Sequence, residues 1–244
     1  MTGAGPLPTT FCWQLTGPPG PPLTHALHMG DAVRSAVMRA WNRLGMDRMP
    51  VAFHGQARRG THDHAYYLSE DRDHDGLIDH VTVHARSGLP GMVVAALASA
   101  GDVWLSQRAT WTLVPITLGM ASGELFGPSR HWISTTVYVT PTWQRSRLAS
   151  EMSGAPADVQ LRHELRLRRL PEPVTVRWEF IIGRDAAAVR PSAFLRTSHT
   201  RQPAPDSSHG APSLEFAEPV HGPLAFGFGC HFGLGLLRSA ARNE

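Results

Sequence analysis

The 244-residue chain contains no lysine, so all 23 of its basic residues are arginine. A GC-rich coding bias produces such a skew without any functional cause. Arginine nonetheless brings a planar, permanently charged fork that grips phosphate in two places at once and stacks on bases. Cysteine is nearly as scarce. Cys12 and Cys230 are too few for a disulfide scaffold, and neither sits in a metal-ligand spacing. Long apolar runs are missing as well. None approaches the roughly 20 residues that a membrane helix needs, so no membrane partner is expected. Residues 1–8 (MTGAGPLP) lack the basic and apolar regions of a secretory signal. A reducing cytoplasm is therefore the expected compartment.

Hydrophobic residues make up 42% of the chain, enough for a sizeable core and too many for a disordered protein. The net charge of +3 is unevenly placed. Residues 1–129 carry 9 arginines against 10 acidic residues, whereas residues 130–244 carry 14 against 10. The second half thus suits a polyanionic partner, and the 14 histidines strengthen that tendency wherever they protonate.

Alternating and aromatic-rich stretches predict strands at Phe11–Thr16, His64–Leu68, Ile78–Ala85 and Thr110–Leu118. Thr24 is placed to cap a helix whose apolar face runs through Leu27, Val33, Val37, Ala40, Trp41 and Leu44, with Gly45 ending it. Pro90 can open a second helix through Val94, Leu97 and Ala98. The acidic turn Asp71–Gly76 joins the middle two strands as a hairpin. The order strand–helix–strand–strand–helix–strand is the ferredoxin-like βαββαβ unit. The second half predicts a strand at Trp132–Thr140, a basic helix at Asp158–Leu170 ended by Pro171, and a strand at Val174–Ile182. Long loops are expected over 183–213, then strands at Leu214–Val220 and around the glycines of Gly222–Leu237. The expectation is an α+β protein of two tandem ferredoxin-like units, residues 10–125 and 130–240.

The segment Gly222–Leu237 reads GPLAFGFGCHFGLGLL. Glycine lets a backbone approach a ligand closely, and successive free N–H groups hold phosphate. The spacing is neither a dinucleotide fingerprint nor a P-loop, because no strand–glycine–helix context and no GK[ST] follow. A bulged strand pair explains the same composition equally well.

Taken together, a ferredoxin-like first unit, a basic second half and a C-terminal glycine loop resemble the RAMP superfamily of CRISPR proteins. The block Thr61–His80 (THDHAYYLSEDRDHDGLIDH) with His231–Gly235 (HFGLG) resembles one branch in particular. That branch is the processing half of the fused subunit of type I-G systems, formerly I-U. Members usually carry a second RAMP-like half in front. The chain resembles the C-terminal half alone, either because the two halves are separate here or because the front half has been removed. The resemblance implies a protein that binds a CRISPR repeat in the precursor transcript and cuts it once, without metal or other cofactor. It also implies retention on the mature guide RNA beside other subunits of a type I effector complex.

Metal-independent RNA cleavage needs a base for the ribose 2′-OH, an acid for the departing 5′-oxygen, and positive groups for the developing charge. Histidine suits the first two tasks and arginine the third. His62 and His64 match the His-x-His block of the family and share a face if the strand has begun by His62; a surface loop pair is the alternative. His231 lies within the glycine segment, either beside bound phosphate or packed beneath the loop. His25 and His28 stand at the start of the first helix, near where many processing nucleases of the superfamily place a catalytic histidine. For RNA contact the candidates are Arg162, Arg166 and Arg169, with Arg168 in the same cluster, against the alternative of a solvated helix face. Arg196 and Arg201 are weaker candidates. Gly227, Gly229, Gly233 and Gly235 are the backbone candidates. Trp132, Phe226 and Phe228 read as core rather than stacking platforms.

Asp71, Asp73, Asp75 and Asp79, with Gly76, follow the first nine positions of a calcium loop. Thr82 stands where the bidentate glutamate belongs, and the flanks read as strands, so a hairpin turn is the stronger reading. His80-Val81-Thr82-Val83 fits one copy of the two-histidine phosphoesterase motif, which requires two. Three alternatives follow: a repeat-cleaving endoribonuclease, a non-cleaving guide-RNA subunit, and a calcium-binding or cyclic-phosphate-handling enzyme.

Overall fold

A computed structural model describes residues 5–54, 64–106, 109–141, 155–197 and 208–240. The chain divides into two compact units between Ala121 and Ser122. Both are mixed α+β units with antiparallel sheets. No helix among the described residues is long and apolar enough to cross a membrane.

The first unit runs β1 (Thr10–Thr16), α1 (Ala26–Arg43), α2 (Val51–His54), β2 (Tyr66–Glu70), β3 (His80–His84), α3 (Gly91–Ala98), β4 (Asp102–Ser106) and β5 (Ala109–Gly119). Its strand order is β2-β3-β1-β5-β4, all antiparallel. With β5 as the fourth strand this is the ferredoxin-like arrangement, and β4 is an added edge. Helix α1 buries Met29, Val33, Val37, Ala40 and Trp41 at three- and four-residue spacing. The side chains of Trp13, Val81, Val83, Val93 and Leu97 are fully buried in the same unit. Thr24 does not cap α1. A short 3-10 turn, Leu23–His25, precedes the helix and His25 takes the cap position. Gly45 follows α1 at φ 63°, its N–H donating to Asn42 O at 3.1 Å, as a helix terminator does. The strand β4 has no counterpart in the sequence reading. Its Val103 is buried, while Trp104 stays half exposed beneath the Arg39 guanidinium, 4.4 Å from the ring centre.

The second unit runs β6 (Ser129–Ser134), β7 (Tyr138–Val139), α4 (Ala157–Leu167), β8 (Thr175–Glu179), β9 (His209–Val220), β10 (Leu224–Ala225) and β11 (Leu236–Ser239). The order β11-β6-β9-β8 repeats the β5-β1-β3-β2 order of the first unit. The stretch between β9 and β11, where the first unit has α3, instead holds β10 and a single 3-10 turn, Cys230–Phe232. Leu161 and Leu165 of α4 pack against Trp132, Tyr138, Leu214, Phe216 and Phe226. The stretch expected as one strand at Trp132–Thr140 is two, because the N–H groups of Thr135 and Thr136 both turn to Leu236 O. The expected loop over 183–213 is also corrected. Strand β9 starts at His209 and pairs with both β7 and β8.

His84, at the end of β3, is only 5% exposed. Burial, reinforced by the positive charge of Arg86, pushes its imidazole down to about 4 from the usual 6.5, against the pull of a hydrogen bond to the Thr9 backbone. The folded state therefore holds His84 neutral while the unfolded chain protonates. Its contribution is present above pH 6.5 and is lost as pH falls from 6.5 towards 4, by about 3 kcal/mol in all. Denaturant midpoints of the wild type and His84→Gln between pH 7 and 4 should converge as pH falls. Parallel profiles would show that His84 is not held neutral.

Candidate functional site

The glycine-rich segment forms a strap over β7. Phe226 N–H donates to Gly235 O at 3.0 Å, Phe228 N–H to Val139 O at 2.9 Å, and Gly235 N–H to Val137 O at 2.7 Å. The Thr136 hydroxyl donates to Gly233 O at 2.7 Å and accepts from Leu236 N–H at 3.0 Å. Gly227 has φ 81°, and a Cβ there would run into Val139 O and the Tyr138 ring. A Cβ on Gly235, at φ 59°, would run into Phe226 O. Glycine is needed at both positions for close approach within the protein.

A buried polar network anchors the strap to α4. The Glu164 carboxylate accepts from Gly227 N–H at 3.0 Å, from the Tyr138 hydroxyl at 3.2 Å and from the Arg168 guanidinium at 3.2 Å. The Glu164 and Arg168 side chains are 6% and 8% exposed. Arg168 also donates to Ala225 O and to the Cys230 thiol, and its guanidinium lies 4.9 Å from the Phe226 ring centre. Burial pushes the Glu164 carboxyl up, while Arg168, Gly227 N–H and Tyr138 draw it back. Burial likewise raises the Tyr138 phenol and the Cys230 thiol. A nucleophilic role for Cys230 is not supported by such surroundings.

The four candidate glycines are thus largely spoken for. The N–H groups of Gly227, Gly233 and Gly235 meet Glu164, Cys230 O and Val137 O. Gly229, at φ 70°, opens the 3-10 turn that carries His231, and Gly233, at φ 92°, closes it. The arginine cluster also separates by task. Arg162 is held by Asp158 at 3.1 Å and Glu172 at 3.3 Å, and Arg168 is the buried anchor. Arg166 and Arg169 are exposed at the end of α4 and form no ion pair among the described residues. The Arg196 side chain lies outside the described residues, as does Arg201.

In the first unit, His25 and His28 come together at the start of α1, with ring centres 6.0 Å apart. Both are partly buried. Burial lowers the His25 imidazole, against a hydrogen bond to the Pro22 backbone that raises it. His64 precedes β2 and is partly buried; His62 lies outside the described residues. His231 belongs to the other unit.

The acidic turn places oxygens of Asp71, Asp73 and Asp75 within 4.8 Å of one another. Much of their capacity is already used. Asp71 accepts from Asp75 and Gly76 N–H at 3.1 and 2.9 Å, and Asp75 accepts from Leu77 N–H at 2.8 Å. Asp79 does not join them. It holds Arg72 N–H at 3.1 Å and His80 Nδ1 at 2.8 Å. This set does not reproduce a calcium loop, since the ninth-position acid is turned away and Thr82 lies in β3. Asp79 thereby orients the His80 ring. The Glu70–Arg72–Thr82–Cys12 cluster beside it was not expected from the sequence: Arg72 pairs with both Glu70 oxygens at 3.0 Å and donates to Cys12 Sγ at 3.3 Å.

No family model and no curated protein sequence matches the chain. Among solved structures, it is similar to the product of a Cas6-related gene from Pyrococcus furiosus, at 10% identity and a TM-score of 0.45, covering 97% of this chain and 100% of the other. It is also similar to a Cas6 product complex (14% identity, TM-score 0.39, 95% and 99% covered). A RAMP protein that binds different RNA substrates is a further neighbour (12%, 0.40, 96% and 100%).

Proposed function

We propose that the chain binds the repeat of a CRISPR precursor transcript and cuts it once, as a metal-independent endoribonuclease of RAMP type. The observation that carries this reading is the pairing of His25 and His28, 6.0 Å apart at the start of α1 in a ferredoxin-like unit. Burial favours neutral His25, the form that can take the ribose 2′-OH proton. The 2′-oxygen then bonds to phosphorus as the bond from phosphorus to the 5′-oxygen breaks. His28, protonated, gives its proton to that leaving oxygen. The products are a 2′,3′-cyclic phosphate and a 5′-hydroxyl, with no water consumed. Arg166 and Arg169 supply exposed phosphate contacts, and other subunits of a type I effector complex are the expected company.

Incubation of the protein with end-labelled repeat RNA in EDTA tests this directly. One cut per repeat, leaving a cyclic phosphate, is expected. Intact RNA at protein excess would rule out cleavage; tight, salt-sensitive binding alone would then favour a non-cleaving guide-RNA subunit. Failure to bind the repeat would end both readings.

A further inference from the structure

Phe180 is 89% exposed, and the next residue, Ile181, is 53% exposed. A fully presented phenylalanine is an informative exception to the burial of apolar side chains. Its position follows from where the strand ends. Val176 and Trp178 of β8 pack against the core, where the Trp178 ring lies tilted against Tyr138, centres 5.8 Å apart, and close to Gly210. β8 ends at Glu179, and Phe180 stands in the bend that follows it, past the end of the sheet and in solvent.

The chain then forms a short finger. Ile182 and Val189 pair through two N–H···O bonds of 2.9 Å, with Ile182 buried. Gly183, at φ 81°, brings the backbone against Ala187 O, where a Cβ would collide. The finger therefore has a built shape. Arg184 at its tip and Arg190 at its base are exposed and form no ion pair among the described residues. The nearby acids are Asp185 and Glu179, and Glu179 accepts from the Ser213 hydroxyl at 3.3 Å.

Size decides what such a patch can bind. One phenylalanine and part of an isoleucine offer on the order of 200 Å² of apolar contact, against roughly 800 Å² per partner in a stable protein interface. The exposed apolar residue at the other end of β8, Val174 at 67%, just before the strand, is six residues away, about 20 Å along an extended chain. One base stacked on one ring fits the available area, and two flanking guanidinium groups fit its phosphates.

Resting on the RNA-binding reading above, we infer that Phe180 is a stacking platform for an unpaired nucleotide, with Arg184 and Arg190 on the adjoining backbone. The bound chemistry is a single-stranded RNA segment, read through base stacking without sequence preference.

The test uses fluorescein-labelled rU12 and a fully paired 12-base-pair RNA duplex as probes of the intact protein. Phe180→Ala should weaken rU12 binding about tenfold or more, leave the duplex affinity unchanged, and leave the thermal midpoint unchanged because the side chain packs on little. Phe180→Trp should restore binding. Arg184→Ala and Arg190→Ala should each flatten the salt dependence of rU12 binding by about 0.7 in the log–log slope, the single-strand value. Wild-type binding of rU12 that Phe180→Ala leaves intact would overturn this inference alone. A Phe180→Ala protein that changes its oligomeric mass would overturn it in favour of a protein contact. Absence of wild-type binding to rU12, to the duplex and to repeat RNA would remove the RNA-binding reading itself.

Discussion

Glu164→Ala will destabilise the second unit by about 3–5 kcal/mol, the cost of leaving a buried charge without its partner. The substitution strips Arg168, 8% exposed, of its carboxylate. It also removes the acceptor for Gly227 N–H and for the Tyr138 hydroxyl. The thermal midpoint should fall by about 10 °C, taking 2–4 °C per kcal/mol for a chain of this size. The damage should show locally, as faster proteolytic cleavage within the strap. A double variant, Glu164→Leu with Arg168→Met, should recover part of the loss, because an apolar pair of similar volume needs no compensating charge. A Glu164→Ala protein as stable as the wild type would mean that the strap is held by its backbone bonds to β7 alone.

That network shows where reading the sequence stops. The glycines, their mixture with large apolar residues and the nearby basic helix are all visible in the order of residues. The Glu164–Arg168 spacing, i to i+4, is visible too. What sequence does not contain is which side of α4 faces inward against the strap. In isolation, glycines with free N–H groups suggest phosphate. Folded, three of the four N–H groups serve the protein, because an apolar strap crossing β7 must satisfy its own buried backbone. The same holds for the arginines. Four charges in eight residues suggest a uniform basic face, yet the helix turns Arg168 inward and leaves Arg166 and Arg169 outside.

The first unit was more legible. Its strands alternate cleanly, its helices have marked ends at Gly45 and Pro90, and its ferredoxin-like order follows from local pattern alone. The missed β4 is only five residues long and stands three residues after α3, too short a stretch to show a clear alternation of its own. A second ferredoxin-like unit was expected after the first, but its element order was harder to trace, because the element in the place of the second helix is a strap without helical periodicity. The pairing of His25 with His28 was half visible. Their spacing is three residues, but the 3-10 turn before α1 sets the 6.0 Å separation of the rings.

That pairing carries the largest kinetic prediction. His25→Ala and His28→Ala should each slow repeat cleavage by about 10²–10⁴-fold, the usual contribution of a positioned acid or base. RNA affinity should change far less than the rate, since the exposed arginines Arg166 and Arg169 are untouched in both variants. The same changes at His64, His80 and His231 should each cost less than tenfold if those side chains are supporting. The pH profile adds a sign. A base works only when unprotonated, and burial lowers the His25 imidazole. The acid limb of the single-turnover rate should therefore lie below the ordinary imidazole value of 6.5, with the rate falling as pH drops through it. In His25→Ala that limb should disappear along with most of the rate. Unchanged cleavage by both alanine variants would remove the pair from the chemistry, and a large loss confined to His64→Ala or His231→Ala would move the active site to that residue.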